Sequence, residues 1–311
     1  MFKNPKVSIV ILTWNGKDDT LAVLADIEKL DNGGFRIETI VVDNASTDGT
    51  KEALRGYRLR NSDFIFVRNK KNLGFAGGNN VGVKRALKGG ADFVMLLNND
   101  VVLRKDLLTA LVKDALSDPK IGMVSPKMYF AKGYEFHKDW YKENEKGKIF
   151  WYAGGEIDWN NVYSSHRGVD EVDKGQYEKL TDTDFANGAC VLIKKEVFEK
   201  IGYLDEKFFL YWEDADFSQR ARLSGFGVVY SPNTCLWHKV SKAVGGSGSP
   251  SNDYFLIRNR LIFGFRYARL RTRLALIKDS LRLLFKGRPW QKKGVVDFYL
   301  GRFGKGSWGK K

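Results

Sequence analysis

The chain has 311 residues, of which 43% are hydrophobic, and a formal net charge of +15. A chain of this length and composition buries a sizeable core, as one large domain or one and a half, which excludes a disordered polypeptide. Its two cysteines, Cys190 and Cys235, exclude a disulfide framework, and His238 near Cys235 does not supply the second ligand pair of a structural zinc site. No apolar run of about 18 residues predicts a membrane-spanning helix, and residues 1–6 lack the apolar core of a secretory signal. We therefore expect a cytoplasmic location.

The positive charge is concentrated at the end of the chain. Residues 254–311 contain 16 Lys+Arg and 2 Asp+Glu, whereas residues 1–253 contain 36 and 35 and are almost neutral. A nucleic-acid enzyme would more often spread its positive charge around a cleft. The distribution therefore predicts a basic docking surface and no nucleic-acid partner.

Short β-branched runs alternate with amphipathic helical patterns along the first part of the chain. The predicted strands cover residues 7–13, 39–42, 64–67, 93–97 and 122–124. This alternation predicts an α/β fold with a Rossmann-like, mostly parallel sheet, right-handed crossovers and flanking helices. An aromatic stretch at 129–179 predicts loops and an irregular hairpin laid over the sheet, and regular structure resumes at 184–193, 196–201, 214–223 and 227–230.

A glycine-rich segment at residues 245–250 predicts a linker and a domain boundary. We expect a catalytic domain at 1–250, with a nucleotide-binding half at about 1–126 and an acceptor-side half at about 127–250. Residues 251–311 then form a basic, amphipathic helical C-terminal region.

Three acidic segments follow predicted strands or precede a predicted helix: residues 41–46 (VVDNAS), 96–100 (LLNND) and 211–216 (YWEDAD). In an open parallel sheet, ligands bind beyond the carboxyl ends of the strands. Asp43 there contacts a base or ribose, or belongs to a turn and helix cap. The oxygens of Asn98, Asn99 and Asp100 are hard ligands suited to Mg²⁺ or Mn²⁺, which would bridge a diphosphate.

The segment at residues 72–80 (NLGFAGGNN) is rich in glycine and asparagine. It matches neither the P-loop nor the Gly-x-Gly-x-x-Gly pattern, so kinase and dehydrogenase functions are disfavoured. Its glycines allow close approach of a ligand, or they form a flexible turn before the next helix.

Glu213 and Asp214 lie between an aromatic run and a predicted helix. Adjacent acids in an apolar setting favour a raised pKa and a general base, although both also suit a helix N-terminus. His238 is either a structural histidine or, together with Asp100, a metal ligand.

In this order and spacing, the motifs resemble the family 2 inverting glycosyltransferases of GT-A fold, especially rhamnosyltransferase-like members. The resemblance runs from about Val7 to Phe263. It includes the first strand and its exit (SIVILTWN, residues 8–15), VDNASTDG at 42–49, NLGFAGGNN, LNND, NGA at 187–189, FLYWEDAD at 209–216 and WH at 237–238.

The resemblance implies a metal-dependent transfer of a sugar from a nucleoside diphosphate to an acceptor hydroxyl. Asp214 would be the catalytic base, and Asp100 and His238 would bind Mg²⁺ or Mn²⁺. The usual Asp-x-Asp motif is Asn98-Asn99-Asp100 here, so only its last carboxylate remains. The nucleotide-sugar would contact Thr13, Asn15, Asp43, Asn72, Gly74, Gly78, Asn79 and Asn99, with supporting roles for Glu213, Asn98, Arg258 and Arg260.

The processive synthases of this family carry a Gln-x-x-Arg-Trp motif and membrane helices, which this sequence lacks, so a single sugar addition is expected. The donor would be dTDP-rhamnose or a UDP-sugar, and the acceptor a glycan or lipid-linked glycan in cell-surface polysaccharide biosynthesis. The apolar and basic pattern of residues 254–286 predicts an amphipathic helix on the anionic inner face of the membrane. The alternative is a helix packed on the catalytic domain or against a second copy in a homodimer.

Two rival functions use the same sheet. A sugar nucleotidyltransferase would place a Gly-rich, Arg-bearing loop after its first strand, and residues 13–17 (TWNGK) do not match that loop. A catalytically silent nucleotide-sugar or glycan-binding protein would have less need for Asp100, Asp214 and His238 together.

Overall fold

The structure is a computed structural model that describes residues 4–240 and 249–309. Its strands are β1 (Lys6–Thr13), β2 (Arg36–Asp43), β3 (Asp63–Arg68), β4 (Phe93–Asn98), β5 (Val101–Leu103), β6 (Ile121–Phe130), β7 (Phe150–Tyr152), β8 (Gly155–Asp158), β9 (Tyr163–His166), β10 (Thr181–Asp182), β11 (Cys190–Lys194) and β12 (Gly227–His238). Its helices are α1 (Lys17–Ile27), α2 (Thr50–Leu54), α3 (Gly74–Lys88), α4 (Leu107–Ser117), α5 (Lys195–Ile201), α6 (Glu213–Leu223), α7 (Pro250–Tyr267), α8 (Leu270–Lys286) and α9 (Pro289–Tyr299).

The central sheet has the strand order β10-β12-β6-β11-β4-β1-β2-β3. Parallel pairing joins β4, β1, β2 and β3, and again β6 and β12, while β11 runs antiparallel between β4 and β6. The predicted α/β fold with a mostly parallel sheet and flanking helices is confirmed. The aromatic stretch contributes β7 and the separate hairpin β8-β9.

Both faces of the sheet are covered because successive side chains of a strand point in opposite directions. In β1, Ile9 and Ile11 pack with residues of α1 and α4, and Val10 packs on the other face with residues of α3, α5 and α6. The near-continuous apolar sequence of β1 follows from this burial on both sides. The polar residue Thr13 follows only at the end of the apolar run of β1.

The C-terminal region forms three helices rather than one amphipathic helix. The backbone is extended at Ala268 and Arg269, which separates α7 from α8. The face of α7 predicted to meet a membrane is largely buried, and Leu261, Ile262 and Phe263 belong to the same apolar cluster as the sheet. For α7, the alternative of a helix packed on the catalytic domain is therefore correct.

The division at residue 250 coincides with the start of α7, but apolar side chains on both sides of it share one core. The division into domains remains a prediction, and residues 245–248 of the expected linker lie outside the described residues. Within the described ranges, no helix combines the length and the apolar character needed to cross a membrane.

Candidate active site

Three polar strand ends meet at one edge of the sheet. In the parallel register, Thr13 of β1 pairs with Asp43 of β2, and Leu12 pairs with Asn98 of β4. On the other side of β4, the backbone N–H of Asn98 donates to the carbonyl of Ala189, 2.9 Å away. Two of the acidic segments selected from the sequence, at residues 41–46 and 96–100, therefore converge with the end of β1 as the rule for open parallel sheets predicts.

Asn99 fastens the turn between β1 and α1. Its amide nitrogen lies 3.3 Å from Thr13 Oγ1, 3.2 Å from the Gly16 carbonyl oxygen and 3.1 Å from Thr20 Oγ1. A Cβ at Gly16 would approach this nitrogen to 2.4 Å, so the contact requires glycine there. Thr20 was not selected from the sequence because a threonine in an amphipathic helix gives no distinctive signal.

Asn15 and Asp43 organise the loop that follows β2. The Asn15 N–H donates to Ser46 Oγ at 2.9 Å, and the Thr47 N–H donates to Asn15 Oδ1 at 2.8 Å. Asp43 is fully buried, and its carboxylate accepts from the Ser46 N–H at 2.8 Å. The predicted nucleotide residues Thr13, Asn15, Asp43 and Asn99 thus form one polar cluster.

Arg68 was missed by the sequence analysis and is the cationic partner of Asp43. It lies opposite Asp43 in the β2-β3 register and forms an ion pair with its second oxygen. Its other terminal nitrogen donates to the Ser46 carbonyl at 2.9 Å. The same rule of polar strand ends, applied to β3, would have identified it.

The glycine-rich segment is mostly helix, so it is not the flexible turn that its composition allowed. α3 starts at Gly74, and a Cβ at Gly78 would lie 2.4 Å from Leu12 Cδ1. The Asn79 amide donates to the Phe75 carbonyl, one helical turn earlier, at 3.0 Å. Gly78 therefore serves close packing of α3 on the sheet, because a larger residue there would push the helix away from β1, whereas Asn79 hydrogen bonds within its own helix.

Asn44 holds the turn that precedes α3. Its amide nitrogen donates to Asn72 Oδ1 and to the Gly74 carbonyl, each at 3.0 Å, and its oxygen accepts from Asn69 Nδ2 and the Leu73 N–H. Asn72 and Gly74 are thereby fixed beside the end of β2. Of the predicted residues in this segment, these two remain next to the polar cluster.

Asp100 and His238 lie next to each other and are both buried. His238 pairs with Val101 in the β5-β12 ladder, and its Nε2 lies 3.1 Å from Asp100 Oδ1. Neighbouring ligands of an octahedral ion with bonds of about 2.1 Å are also about 3 Å apart, so the pair fits one divalent ion. Among the described residues, no cluster of three or more His, Cys, Asp or Glu side chains adds a further protein ligand. Diphosphate oxygens and water would have to complete the coordination.

A chain of contacts connects this pair to the acids of α6. The Trp151 ring packs on His238, with centroids 4.2 Å apart, and its carbonyl lies 2.9 Å from His166 Nδ1. Since a carbonyl can only accept, His166 is protonated at Nδ1, and its Nε2 accepts from the Asn187 amide at 3.0 Å. Burial lowers the pKa of His166 to about 4, which keeps it neutral. Trp151 and His166 lie in the aromatic stretch, which has no helical or strand periodicity in its sequence.

Glu213 and Asp214 occupy the first turn of α6. Asp214 is partly exposed, and its carboxylate accepts from the Gly188 N–H at 3.2 Å and from the Ala215 N–H at 2.8 Å. Glu213 is buried, and its Oε2 has no hydrogen-bond partner in the described part of the chain. Burial raises the pKa of Asp214 above its usual range, and burial together with the neighbouring Asp214 raises the pKa of Glu213 further. The raised pKa of Asp214 is the kind of shift that suits a carboxylate to act as a general base.

Three non-glycine residues just before these acids have a left-handed backbone. The φ angles are 66° at Phe209, 67° at Tyr211 and 74° at Trp212. Such conformations cost about 1–3 kcal/mol each and persist only where the surroundings enforce them. The Phe75 N–H donates to the Phe209 carbonyl at 2.6 Å, so this strained segment also contacts the first turn of α3.

Arg258 and Arg260 have structural roles in this structure, which corrects the expectation that they assist the diphosphate. Arg258 is fully buried, and its guanidinium donates to Asn259 Oδ1, Tyr254 Oη and three backbone carbonyls. Arg260 donates to the carbonyls of Asn161 and Val162 and pairs with Asp279 at 2.7 Å. Basic residues in a helical pattern look alike in sequence whether they face solvent or the core.

Known proteins resemble this chain in sequence and in structure. The family model described as Glycosyl transferase family 2 matches residues 8–202. The low-salt glycan biosynthesis hexosyltransferase Agl10 of Haloferax volcanii is 25% identical over 71% of this chain and 63% of its own length. The poly-β-1,6-N-acetyl-D-glucosamine synthase of Staphylococcus aureus is 27% identical over 67% of this chain and 44% of its own length. The chain thus spans less than two thirds of these two relatives.

A solved structure extends the similarity to almost the whole chain. The mannosyltransferase PcManGT of Pyrobaculum calidifontis, in complex with GDP-mannose and Mn²⁺, superposes with a TM-score of 0.55 at 17% identity, covering 99% of this chain and 88% of that one. The shared fold confirms the predicted GT-A-type architecture. Because the family model covers more than half of the residues, including the polar ends of β1, β2 and β4, the chain belongs to glycosyl transferase family 2.

Proposed function

We propose that this protein transfers a single sugar from a nucleoside-diphosphate donor to the hydroxyl of a glycan or lipid-linked acceptor, with inversion at the anomeric carbon. The observation that carries the proposal is Asp214, a partly exposed carboxylate with a raised pKa, linked through Asn187, His166 and Trp151 to the Asp100–His238 pair. A base beside a pair of metal-ligating side chains suits displacement of a diphosphate by a hydroxyl.

The donor would lie over the carboxyl ends of β1, β2 and β4. The cluster of Thr13, Asn15, Asp43 and Asn99, with Asn72 and Gly74 beside it, would bind the nucleotide. Since Asp43 is already paired with Arg68, the two would act together, the carboxylate accepting from a base or ribose while the guanidinium balances its charge. The contribution of Gly78 and Asn79 would be indirect, through the placement of α3.

Asp100 and His238 would hold a divalent ion, with Asn98 nearby. When bound, this ion would neutralise charge on the departing diphosphate. Mg²⁺ takes oxygen ligands, whereas one carboxylate and one imidazole form a softer set, so the pair favours Mn²⁺. The solved structures of PcManGT and of GalNAc-T7 both contain Mn²⁺.

Asp214 would take the proton of the acceptor hydroxyl as that oxygen attacks the anomeric carbon. The N–H groups of Gly188 and Ala215 fix its orientation. Burial and the neighbouring Asp214 raise the pKa of Glu213 well above its usual range, so Asp214 is the acid of the pair that loses its proton more readily. A single base on the acceptor side suits one displacement and therefore inversion.

The first experiment is a donor screen that measures released nucleoside diphosphate. UDP-, GDP- and dTDP-sugars, including dTDP-rhamnose, would each be incubated with Mn²⁺ or Mg²⁺, with water alone and with alkyl glycosides as surrogate acceptors. We expect turnover of one donor that is lost with chelator and in Asp100→Asn, and that falls about a hundredfold or more in Asp214→Asn. Asp63→Asn, at an exposed carboxylate on β3, is the matched control and should retain activity.

Two results would contradict the proposal. Binding of a nucleotide-sugar without turnover under all conditions would favour the silent binding protein. Turnover that survives Asp214→Asn unchanged would remove Asp214 as the base, whatever the donor.

We further propose that α8 contacts an anionic membrane, where a lipid-linked acceptor would be presented. Its exposed apolar residues lie on one stripe about 60° wide at 100° per residue, and they are 47–80% exposed: Leu270, Leu274, Leu281 and Phe285. Basic residues flank the stripe, and the acidic Asp279 of this helix is paired with Arg260. An apolar stripe beside cations complements acyl chains and anionic headgroups.

Co-sedimentation with vesicles tests this surface. We expect binding to vesicles containing phosphatidylglycerol, weak binding to pure phosphatidylcholine, and loss of binding in the double variant Leu274→Asp/Phe285→Asp. Leu223→Asp, at a leucine of α6 that is 75% exposed, is the control and should bind like the wild type. Failure of the wild type to sediment would overturn the proposal, as would a wild-type dimer that the double variant converts to monomer, since the stripe would then be a homodimer interface.

A further inference from the structure

The strained segment before the acids is held from the C-terminal region. The side chain of Asn259, on α7, is fully buried, and its amide nitrogen lies 2.8 Å from each of the carbonyl oxygens of Phe208, Leu210 and Tyr211. A left-handed backbone turns these carbonyls away from the partners that a helix or strand would provide. The two N–H donors of this amide are therefore shared among three carbonyls of the strained segment, of which that of Phe208 also accepts from the Leu210 N–H at 2.8 Å.

The neighbouring Arg258 strengthens this attachment. Its guanidinium donates to the carbonyls of Lys207 at 3.2 Å and Phe208 at 2.9 Å, and its Nε–H donates to Asn259 Oδ1 at 3.0 Å. The last contact uses the oxygen of Asn259 and thereby directs its NH₂ group toward the segment. The orientation of the amide is thus determined by the protein.

The held segment touches both halves of the candidate active site. Its Phe209 carbonyl accepts from the Phe75 N–H in the first turn of α3, and a Cβ at Gly74 would lie 2.4 Å from the same oxygen. Its other end, Trp212, is the residue before Glu213 and Asp214. A change of backbone here would shift the acids relative to the turn at residues 72–74.

We propose that Asn259 is a positioning residue for the reaction, which fixes Asp214 by enforcing the left-handed backbone of residues 209–212. The proposal rests on the proposed function of Asp214 as base. It extends the catalytic structure into α7, beyond the residues 8–202 that match the family model. Without the amide, the segment relaxes toward ordinary φ values, and the carboxylate of Asp214 leaves the Gly188 N–H.

The test compares Asn259→Ala with Asn61→Ala. Asn61 is a matched control because its amide also donates to two backbone carbonyls, those of Ile27 and Glu28, far along the chain from the acids. We expect Asn259→Ala to lower kcat about a hundredfold, as for a misplaced catalytic group, with the donor KM changed less than about threefold. The acid limb of the kcat–pH profile should shift as well, since the hydrogen bonds that lower the pKa of Asp214 are weakened. Asn61→Ala should leave kcat, KM and the pH profile unchanged.

Hydrogen–deuterium exchange of the ligand-free protein provides a readout independent of turnover. Peptides covering residues 207–216 should exchange faster in Asn259→Ala and as in the wild type in Asn61→Ala. Asn259→Ser, which keeps one donor, should give a smaller change in both exchange and kcat. It replaces Asn259→Ala in the test if the alanine variant does not fold.

The outcomes separate this inference from the proposed function. Unchanged exchange at 207–216 in a folded Asn259→Ala protein would overturn the anchoring role, even if the wild type showed no turnover with any donor. Faster exchange with an unchanged kcat and pH profile would overturn the positioning role. Equal losses of kcat in Asn259→Ala and Asn61→Ala would show that both substitutions act by destabilising the fold in general, and would overturn the positioning role.

Discussion

Asp216 offers a sharp test of how α6 is held in place. It is fully buried, and its carboxylate accepts from Arg220 Nε at 2.9 Å, Arg266 Nη1 at 2.5 Å and Tyr267 Oη at 2.8 Å. Breaking a buried ion pair by removing one partner costs about 3–5 kcal/mol. Because Arg266 keeps a second carboxylate, Asp205 at 2.8 Å, we expect Asp216→Ala to lie near the lower end, at about 3 kcal/mol.

Thermal unfolding followed by circular dichroism measures this change. With an unfolding entropy of about 2.1 cal/mol/K per residue, a loss of about 3 kcal/mol corresponds to a Tm lowered by about 5 °C in a chain of 311 residues. Glu143→Ala is the control, because Glu143 also pairs with two cations, Lys132 and Lys146, but at the surface. Its Tm should not change measurably. Equal Tm shifts in the two variants would refute the argument that burial makes the Asp216 network important.

Three further predictions follow from the site. Since the pKa of Asp214 is raised and the base acts when deprotonated, turnover should increase with pH through a midpoint above the ordinary aspartate value of about 3.9, as measured by a pH–rate profile. Folding raises the pKa of Glu213, so the folded state favours its protonated form. Its contribution to stability is fully present below the unfolded pKa of about 4.3, and it is lost as the pH rises through the folded pKa. Glu213→Gln should therefore melt higher than the wild type at pH 8, with a difference that vanishes near pH 4. Gly78→Ala should lower the Tm, because overpacking against Leu12 costs about 1–3 kcal/mol and outweighs a helix-propensity gain of about 1 kcal/mol. Gly77→Ala, whose Cβ would come no closer than 3.0 Å to a neighbour, should be milder.

The parts of the site that could be predicted are those that the sheet itself brings together. A parallel sheet places all carboxyl strand ends at one edge, so Thr13, Asp43 and Asn98 could be grouped without knowing any contact. From the residues alone, the pairing of Asp100 with His238 was one of two alternatives for this histidine, and the resemblance then favoured it. It results from β12 folding back beside β5, which no local pattern indicates.

The incorrect predictions from the sequence concern residue types that can serve two physical purposes. Glycine permits close approach of a ligand and equally of side chains from a neighbouring element. The structure of residues 77–82 uses the second property, since a Cβ at Gly82 would also meet the Val10 side chain at 2.3 Å. A buried arginine cannot be recognised from the sequence because the carbonyls that satisfy Arg258 come from Lys207, Phe208 and Gly304, which are far away along the chain. His166 is similar, since its partners Trp151 and Asn187 meet only after folding.

Only part of the positive charge of the C-terminal region can contribute to membrane binding. Several of its arginines already pair with groups of the protein itself. Arg258, Arg260 and Arg266 are buried or partly buried, and the exposed Arg288 pairs with the buried Asp253. The exposed cations on and beside α8 are Arg269, Arg271, Lys278, Arg282 and Lys286. At about 1 kcal/mol per cation near an anionic surface, they supply about 5 kcal/mol of attraction, in addition to the apolar stripe.

The difference between paired and exposed basic residues also decides how membrane binding should be tested. Deleting residues 264–311 would remove Leu276 and Val295 from the apolar core and Arg266 from Asp216. Such a deletion would unfold the catalytic structure and abolish vesicle binding for a trivial reason. Substitutions confined to the exposed stripe of α8 leave α7 and its contacts with residues 207–212 intact. They should therefore separate membrane attachment from catalysis, since Asn259 and Arg258 lie on the buried helix and the proposed lipid contacts lie on the next one.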